Sequence, residues 1–203
     1  MRHLLLGLAL GAVVFPTGAV RAQAAGTPPA AAPRQAPRRT VAVMSLASGA
    51  FADGAMIPER HAQRGRDVSP ALAWSGVPDS TVSFVLLVHD VDAAIGTGTD
   101  DLLHWLVWNI PGNSTGLAEG VARMPELGDG TRQVSASGPY YRGPAAPATG
   151  PVHHYVFEVF ALDTRLDVPS SVASPPATRA AVLAAMAGHV RGKGVLVGRY
   201  RRN

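Results

Sequence analysis

A mainly β fold is what this 203-residue chain predicts, and two observations carry the prediction. Its apolar runs, residues 82–89, 102–110, 155–162 and 195–200, are of strand length and nearly continuous, as in strands buried on both faces. The stretches between them, 112–120, 128–130 and 138–150, are dominated by Gly and Pro and read as turns and loops. A hydrophobic fraction of 47% with only 16% charged residues is enough for a sizeable core, and the length fits one domain with a small extra segment.

The extra segment lies at the start. Met1, Arg2 and His3 are basic or polar, residues 4–14 are apolar or small, and Ala22-Gln23-Ala24 supplies small residues, which together read as a signal peptide over 1–24 cut after Ala22 or Ala24. The apolar run is far below the roughly 20 residues that span a bilayer, so no stable membrane insertion is expected after cleavage, and a periplasmic or secreted location follows. With no cysteine in the chain, attachment of lipid through an N-terminal Cys and disulfide bracing are both excluded, and stability must come from the core. Residues 25–39, rich in Ala, Pro and Arg without apolar periodicity, read as a disordered linker, which leaves 40–203 as the folded domain.

Charge follows that division. Arg2 and Arg21 leave with the leader, taking Lys and Arg from 18 to 16 against 14 acids, and setting aside Arg34, Arg38 and Arg39 leaves 13. The domain is thus close to neutral. Its remaining basic run, Arg199-Tyr200-Arg201-Arg202, reads as a solvated tail rather than a stripe on the body, so no nucleic-acid role is expected.

Within the domain, Leu72 and Trp74 mark a strand between turns at Pro70 and Gly76-Val77-Pro78, with Trp74 as a core residue. The run 82–89 stops at Asp90, 102–110 at Pro111-Gly112, and 155–162 at Asp163. One helix is predicted over residues 178–187: Ser174 is the N-cap, Pro175 and Pro176 suit a first turn, Val182, Leu183 and Met186 form the core side, and Gly188 ends it. No internal repeat is present.

Polar residues collect at the ends of the apolar runs. If residues 153–160 are extended, His153, Tyr155 and Phe157 share one face while His154, Val156 and Glu158 share the other, so His153 and Tyr155 can act together and His154 cannot join them. The same alternation groups His104 with Leu106 and Trp108, and aims Asp90 and Asp92 the same way. Two such carboxylates can share a proton, bind a cation or accept from imidazole N–H groups. Gly143-Pro144, in a long loop leading to His153, allows close approach to the main chain and offers N–H groups to an oxyanion. Taken singly, each residue is as well explained by a strand end or a solvated turn. The combination carries the case.

Other chemistries fit less well. There is no Gly-x-Ser-x-Gly elbow and no Walker loop, and His153-His154 lacks the i, i+4 spacing of a zinc peptidase. Metal binding by His104, His153 and an Asp stays open, because ligands can converge from separate strands. So does an enzyme with Asp and His as acid and base, although no Ser or Cys lies in the clusters to act as nucleophile.

The ordered set Asp90-Val91-Asp92-Ala93, 104–109 (HWLVWN), Gly143-Pro144 and His153-His154-Tyr155, with Phe51-Ala52-Asp53-Gly54, 67–74 (DVSPALAW), Ala161-Leu162-Asp163 and Gly188-His189-Val190, resembles the phosphatidylethanolamine-binding protein family in its bacterial Raf-kinase-inhibitor-like branch. The resemblance covers residues 45–201. It implies a β-sandwich around a large antiparallel sheet with short helices near the C-terminus, a small anion pocket for phosphate or a phosphorylated head group, no cofactor and no established catalytic reaction. Residue by residue, the pocket it implies is Asp90, Asp92, His104, Gly143, Pro144, His153 and Tyr155. Three positions depart from the family pattern: Val91, Ala94 and Ala145 stand where prolines are usual.

The function expected is therefore an exported, non-enzymatic protein that binds a small phosphate-like or phosphorylated ligand through His104, His153 and Tyr155 as donors. Asp90 and Asp92 would hold the imidazoles or receive a ligand ammonium. A protein partner engaged by loops around the pocket, such as a periplasmic hydrolase under inhibition, is the second class, and a weak hydrolase the third. Pairing as a homodimer is left open. Residues 95–101 are expected to form a flexible acidic flap whose charge would disfavour polyanions.

Overall fold

The computed structural model describes residues 40–170 and 174–203. The signal peptide and linker expected over 1–39 lie outside the described residues.

Among the described residues nine strands build two sheets. In chain order they are β1 (Ala42–Val43), β2 (Ser45–Ser48), β3 (Leu72–Ser75), β4 (Ser83–Ile95), β5 (Asp100–Pro111), β6 (Gly116–Leu117), β7 (Arg132–Val134), β8 (His153–Leu162) and β9 (Val190–Tyr200). The large sheet runs β1-β9-β8-β4-β5-β7 and is antiparallel except at its β1–β9 edge; the small one runs β2-β3-β6.

The continuous apolar runs are explained by a large sheet covered on both sides. Phe84, Leu86 and Val88 of β4 and Tyr155, Phe157 and Val159 of β8 join Leu46, Leu72 and Trp74 of the small sheet in one core. On the opposite face Val85, Leu87, Leu106, Trp108 and Leu162 pack against Leu166, Val168, Val182 and Met186. Val182 lies on the one α-helix among the described residues, α1 (Pro175–Ala185), and Met186 is its C-cap. At about 1.5–3 kcal/mol for each fully buried large apolar side chain, these two layers are the main source of stability in a chain without disulfides. Ser174 is the N-cap as predicted, but its side chain makes no capping bond; its carbonyl accepts from the Thr178 backbone N–H and hydroxyl. Trp74 is buried and donates from Nε1 to the Ser114 carbonyl, as a core residue should.

Strand boundaries depart from the sequence reading in three places. First, β4 does not stop at Asp90 but continues to Ile95, and β5 begins at Asp100, so residues 95–101 are the tip of a β-hairpin with Ile95 opposite Asp100. The flap expected there is this hairpin, and Asp101 lies within β5. Second, β9 starts at Val190 rather than 195, and its glycines make room for a crossing segment: a Cβ at Gly194 would lie 2.9 Å from the Met44 carbonyl, and one at Gly198 2.5 Å from Ile57 Cγ1. The segment 44–57 crosses this glycine face. Third, the pairing of β4 with β5 is interrupted: Val88 lies opposite Trp105 but His89 opposite Leu103, so His104 is an extra residue in a β-bulge.

Candidate functional site

The bulge decides where His104 points. Strict alternation groups it with Leu106 and Trp108, which in fact face the helix side; the extra residue brings His104 onto the side of Trp105, against Tyr155. The two rings meet edge to face with centroids 5.0 Å apart at 88°. His153 and Tyr155 share a face of β8 as alternation predicts, and β8 lies beside β4 with Asp90 opposite Tyr155. One end of the central strands thus gathers Asp90, His104, His153 and Tyr155.

Asp90 is the hub. It is only 3% exposed, its Oδ1 accepts the Asp92 backbone N–H at 3.0 Å, and its Oδ2 accepts from His153 Nδ1 at 2.8 Å. Asp92 does not converge with it. The turn made by the Asp92 N–H on Asp90 carries the second acid outward, where its Oδ2 accepts from the backbone N–H and Nδ1 of the exposed His154, at 2.6 and 2.9 Å. What burial Asp92 has works against its charge, but the His154 hydrogen bonds outweigh it and hold its carboxyl below the usual range. The expectation that both acids face one way is corrected: the chain leaves the β4–β8 ladder after Asp90.

His104 is 1% exposed. Its Nδ1 lies 2.7 Å from the Arg142 carbonyl, which can only accept, so Nδ1 carries the hydrogen. Burial pushes its pKa down, partly offset by that bond and by Asp90, so the ring is neutral and its Nε2 is a bare acceptor. That buried Nε2 has no hydrogen-bond partner. The sequence reading of His104 as a donor is therefore corrected: in its neutral state it can only accept.

Tyr155 is buried to 1% exposure, and its hydroxyl accepts the Ala145 backbone N–H at 3.3 Å. A proline at position 145 has no N–H and could not make this bond. Burial raises the Tyr155 pKa, and the neighbouring Asp90 carboxylate raises it further.

Gly143 and Pro144 are buried beside these groups. The Gly143 N–H donates to Asp67 Oδ1 at 2.7 Å, and its carbonyl accepts from Gln63 Nε2 at 2.7 Å. A Cβ there would lie 2.2 Å from the His61 carbonyl oxygen. The glycine is needed for close packing of the loop against residues 61–67, and its N–H is not available to an oxyanion. The Pro144 carbonyl accepts the Gln63 N–H at 3.1 Å. Sequence reasoning missed this supporting layer of His61, Gln63 and Asp67. The one local signal was Asp67 before a Val-Ser-Pro turn; it adopts φ 52°, where Asp is among the better-tolerated residues.

A second titratable group lies on the other face of the sheet. His89 Nδ1 pairs with Asp101, its Nε2 stands 3.4 Å from Glu158 Oε2, Asp101 pairs with Arg179 of α1, and Glu158 with Lys193 of β9. Burial alone would lower the His89 pKa, but Glu158 and Asp101 outweigh it and raise it. Asp101 is thereby paired away from the Asp90 cluster, and one of the two carboxylates in residues 95–101 is taken out of the acidic repulsion expected there.

Two wider concavities lie elsewhere. One of about 660 Å³ runs between the hairpin tip and α1, with Ile95, Leu103, Arg179 and Leu183 among its walls, and one of about 220 Å³ lies between residues 66–69 and 120–123. Neither is lined by Asp90, His104, His153 or Tyr155. Size favours the first, but the buried acid, imidazoles and phenol converge at the cluster, and convergent polar groups mark a recognition site more specifically than volume. No group of three or more His, Cys, Asp or Glu among the described residues is arranged to hold a metal ion.

Comparison with known proteins adds to this geometry. A family model described as phosphatidylethanolamine-binding protein matches residues 47–201. A UPF0098 protein of Methanothermobacter thermautotrophicus is 43% identical over 161 residues, 78% of this chain and 99% of that protein. Among solved structures, a phosphatidylethanolamine-binding protein homolog from Chlamydia trachomatis superposes with a TM-score of 0.66 at 31% identity, covering 79% of this chain and 99% of its own. YbcL of Escherichia coli, described as a new member of the mammalian PEBP family, gives 0.66 at 28% identity over the same shares.

Proposed function

The chain belongs to the phosphatidylethanolamine-binding protein family, and from that premise we propose that it is an exported, non-enzymatic binding protein whose Asp90–His104–His153 pocket takes a phosphate-like or phosphorylated small ligand. The observation that carries this reading is the buried His104 ring: its Nε2 is closed off from water and has no protein partner. A lone pair in that state costs about 1–3 kcal/mol, a penalty that a bound ligand able to donate to it would remove.

His153 supplies the complementary edge. With Nδ1–H given to Asp90, its Nε2 donates to an anion whenever the ring carries a second proton, and the buried carboxylate behind it keeps the ring oriented. Tyr155 packs edge to face on His104 and brings its hydroxyl beside Asp90 as a further donor, and the Gly143-Pro144 turn seats the loop that carries the Arg142 carbonyl. No Ser or Cys lies in the cluster to act as nucleophile, which favours binding over turnover. Export is supported by the basic, apolar and small-residue order of residues 1–24.

Calorimetric titration of the mature protein with inorganic phosphate and with phosphoethanolamine tests the pocket. Saturable binding that disappears in a His104→Ala, His153→Ala double variant is expected. Unchanged binding in that variant removes the pocket from consideration. Recovery of the protein from the periplasmic fraction, shortened by its leader, tests export; retention in the cytosol at full length refutes it.

A further inference from the structure

Three buried side-chain nitrogens lack a hydrogen-bond partner among the described residues, and two of them, His104 Nε2 and Arg142 Nε, belong to residues joined to each other. Arg142 brackets His104 through its backbone, donating its N–H to the His104 carbonyl at 3.0 Å and accepting from Nδ1 at 2.7 Å. Its guanidinium is close enough to disfavour a proton on His104. Yet that guanidinium forms no ion pair or hydrogen bond with a described residue, while most other arginines of the domain do so through their side chains: Arg60, Arg123, Arg132, Arg165, Arg179, Arg191, Arg201 and Arg202. A half-buried cation with a buried, unmet Nε–H is costly to keep unless something anionic meets it.

We propose that Arg142 is a further ligand-binding residue of this pocket, and that with His104 it selects a phosphoryl group carrying one proton. The proposal rests on the anion-pocket reading. The chemistry follows from donor and acceptor count. Arg142 Nε–H is a donor with no acceptor capacity, and neutral His104, its Nδ1–H spent on the Arg142 carbonyl, offers only an acceptor at Nε2. A ligand that satisfies both must present an unprotonated oxygen to Arg142 and an O–H to His104. A monoprotonated phosphate or phosphomonoester has both; sulfate has only the first, and would have to place a proton on His104 against burial and the neighbouring guanidinium.

The experiment is isothermal titration of the mature protein with inorganic phosphate, phosphoethanolamine and sulfate from pH 5.5 to 8.5, in buffers of differing ionisation enthalpy so that proton uptake is read directly. Phosphate should bind at least tenfold more tightly than sulfate at pH 6, and sulfate binding should take up a proton. Above the second ionisation of a phosphomonoester, near about pH 6, phosphoethanolamine affinity should fall about tenfold per pH unit, whereas inorganic phosphate, which keeps one proton as its dianion, should not show that fall. Comparing phosphate with phosphoethanolamine separates a site for the phosphoryl group alone from one that also reads the amine. Arg142→Ala and Arg142→Gln should each weaken phosphate about 10- to 150-fold, the equivalent of a charge-assisted hydrogen bond of roughly 1.5–3 kcal/mol. Their thermal midpoints should hold, because the contacts of Arg142 within the fold are made by its backbone. Sulfate binding as tightly as phosphate without proton uptake overturns the proposal, and needs no variant. Full phosphate affinity in Arg142→Ala, with binding lost in the His104→Ala, His153→Ala pair, overturns it while leaving the pocket intact. No binding by the unaltered protein, or full binding in that pair, removes the pocket and the proposal together.

Discussion

Replacing Gly143 by Ala separates two roles for the loop that carries the pocket. A methyl group at this position would lie 2.2 Å from the His61 carbonyl oxygen, 2.9 Å from Asp67 Oδ1 and 3.0 Å from the Ala62 carbonyl carbon. Those neighbours cannot easily yield: Ala62 is fully buried, its N–H is bonded to Glu59, and the His61 carbonyl also receives the Tyr141 hydroxyl at 3.1 Å. Overpacking of this kind costs about 1–3 kcal/mol. Pushing Asp67 away also strains its 2.7 Å bond to the Gly143 N–H, a charged hydrogen bond worth roughly 1.5–3 kcal/mol. The sum centres on about 4 kcal/mol, and at roughly 2–4 °C per kcal/mol for a domain of this size the thermal midpoint should fall about 8–16 °C. Circular dichroism melts and urea unfolding of Gly143→Ala beside the unaltered protein give the measurement. A midpoint within 2 °C of the original, with anion binding lost, would refute the reasoning: the glycine would then be there for a ligand's approach to the main chain, not for packing of the loop on residues 61–67.

Asp90→Ala should lose about 2–4 kcal/mol in urea, because the Asp92 N–H and His153 Nδ1 are left without their acceptor, and phosphate affinity should drop more than tenfold with it. Asp92→Ala should behave differently. Its pair with the exposed His154 is of the surface kind worth at most about 1 kcal/mol, so stability should move by less than that and phosphate affinity by less than about threefold; a large loss of binding would return Asp92 to the pocket. Stability should also peak near pH 6.5. His89, whose folded pKa is raised above 6.5, contributes fully below that value and less as pH climbs through its folded pKa. His104, whose folded pKa is lowered, refuses a proton that the unfolded chain accepts, so stability falls as pH drops from 6.5 toward its folded pKa. Urea midpoints from pH 5 to 8.5 measure both limbs, and His89→Gln should flatten only the alkaline one. An alkaline limb unchanged in that variant would sink the assignment.

Much of the fold was legible because its cause is local. A strand buried on both faces must be apolar at nearly every position, so residues 82–89, 102–110 and 155–162 announced the three central strands, and Pro175 and Gly188 marked the ends of α1 to within a few residues. The short strands β1, β2, β6 and β7 left no trace, since two to four residues set no period, and β9 was half hidden because glycines admit the segment that crosses it. In the site, alternation along β8 by itself put His153 and Tyr155 together and sent His154 away, and Asp90, His104 and the Gly143-Pro144 turn were recognisable as a set.

Only the tertiary structure decided what each of them does. His104 reaches the pocket through a bulge that exists in the pairing of β5 with β4, and pairing is a relation between strands about which neither strand's periodicity carries information. Asp92 turns to His154 because the chain leaves the ladder after Asp90; Gly143 is required by a carbonyl some 80 residues earlier; and Arg142, silent in the sequence, becomes notable once its backbone grips His104 and its Nε is left buried and unmet. Composition and period determine which residues are inside and which faces they share. Who accepts, who donates and who is left without a partner depends on contacts between segments far apart in the chain.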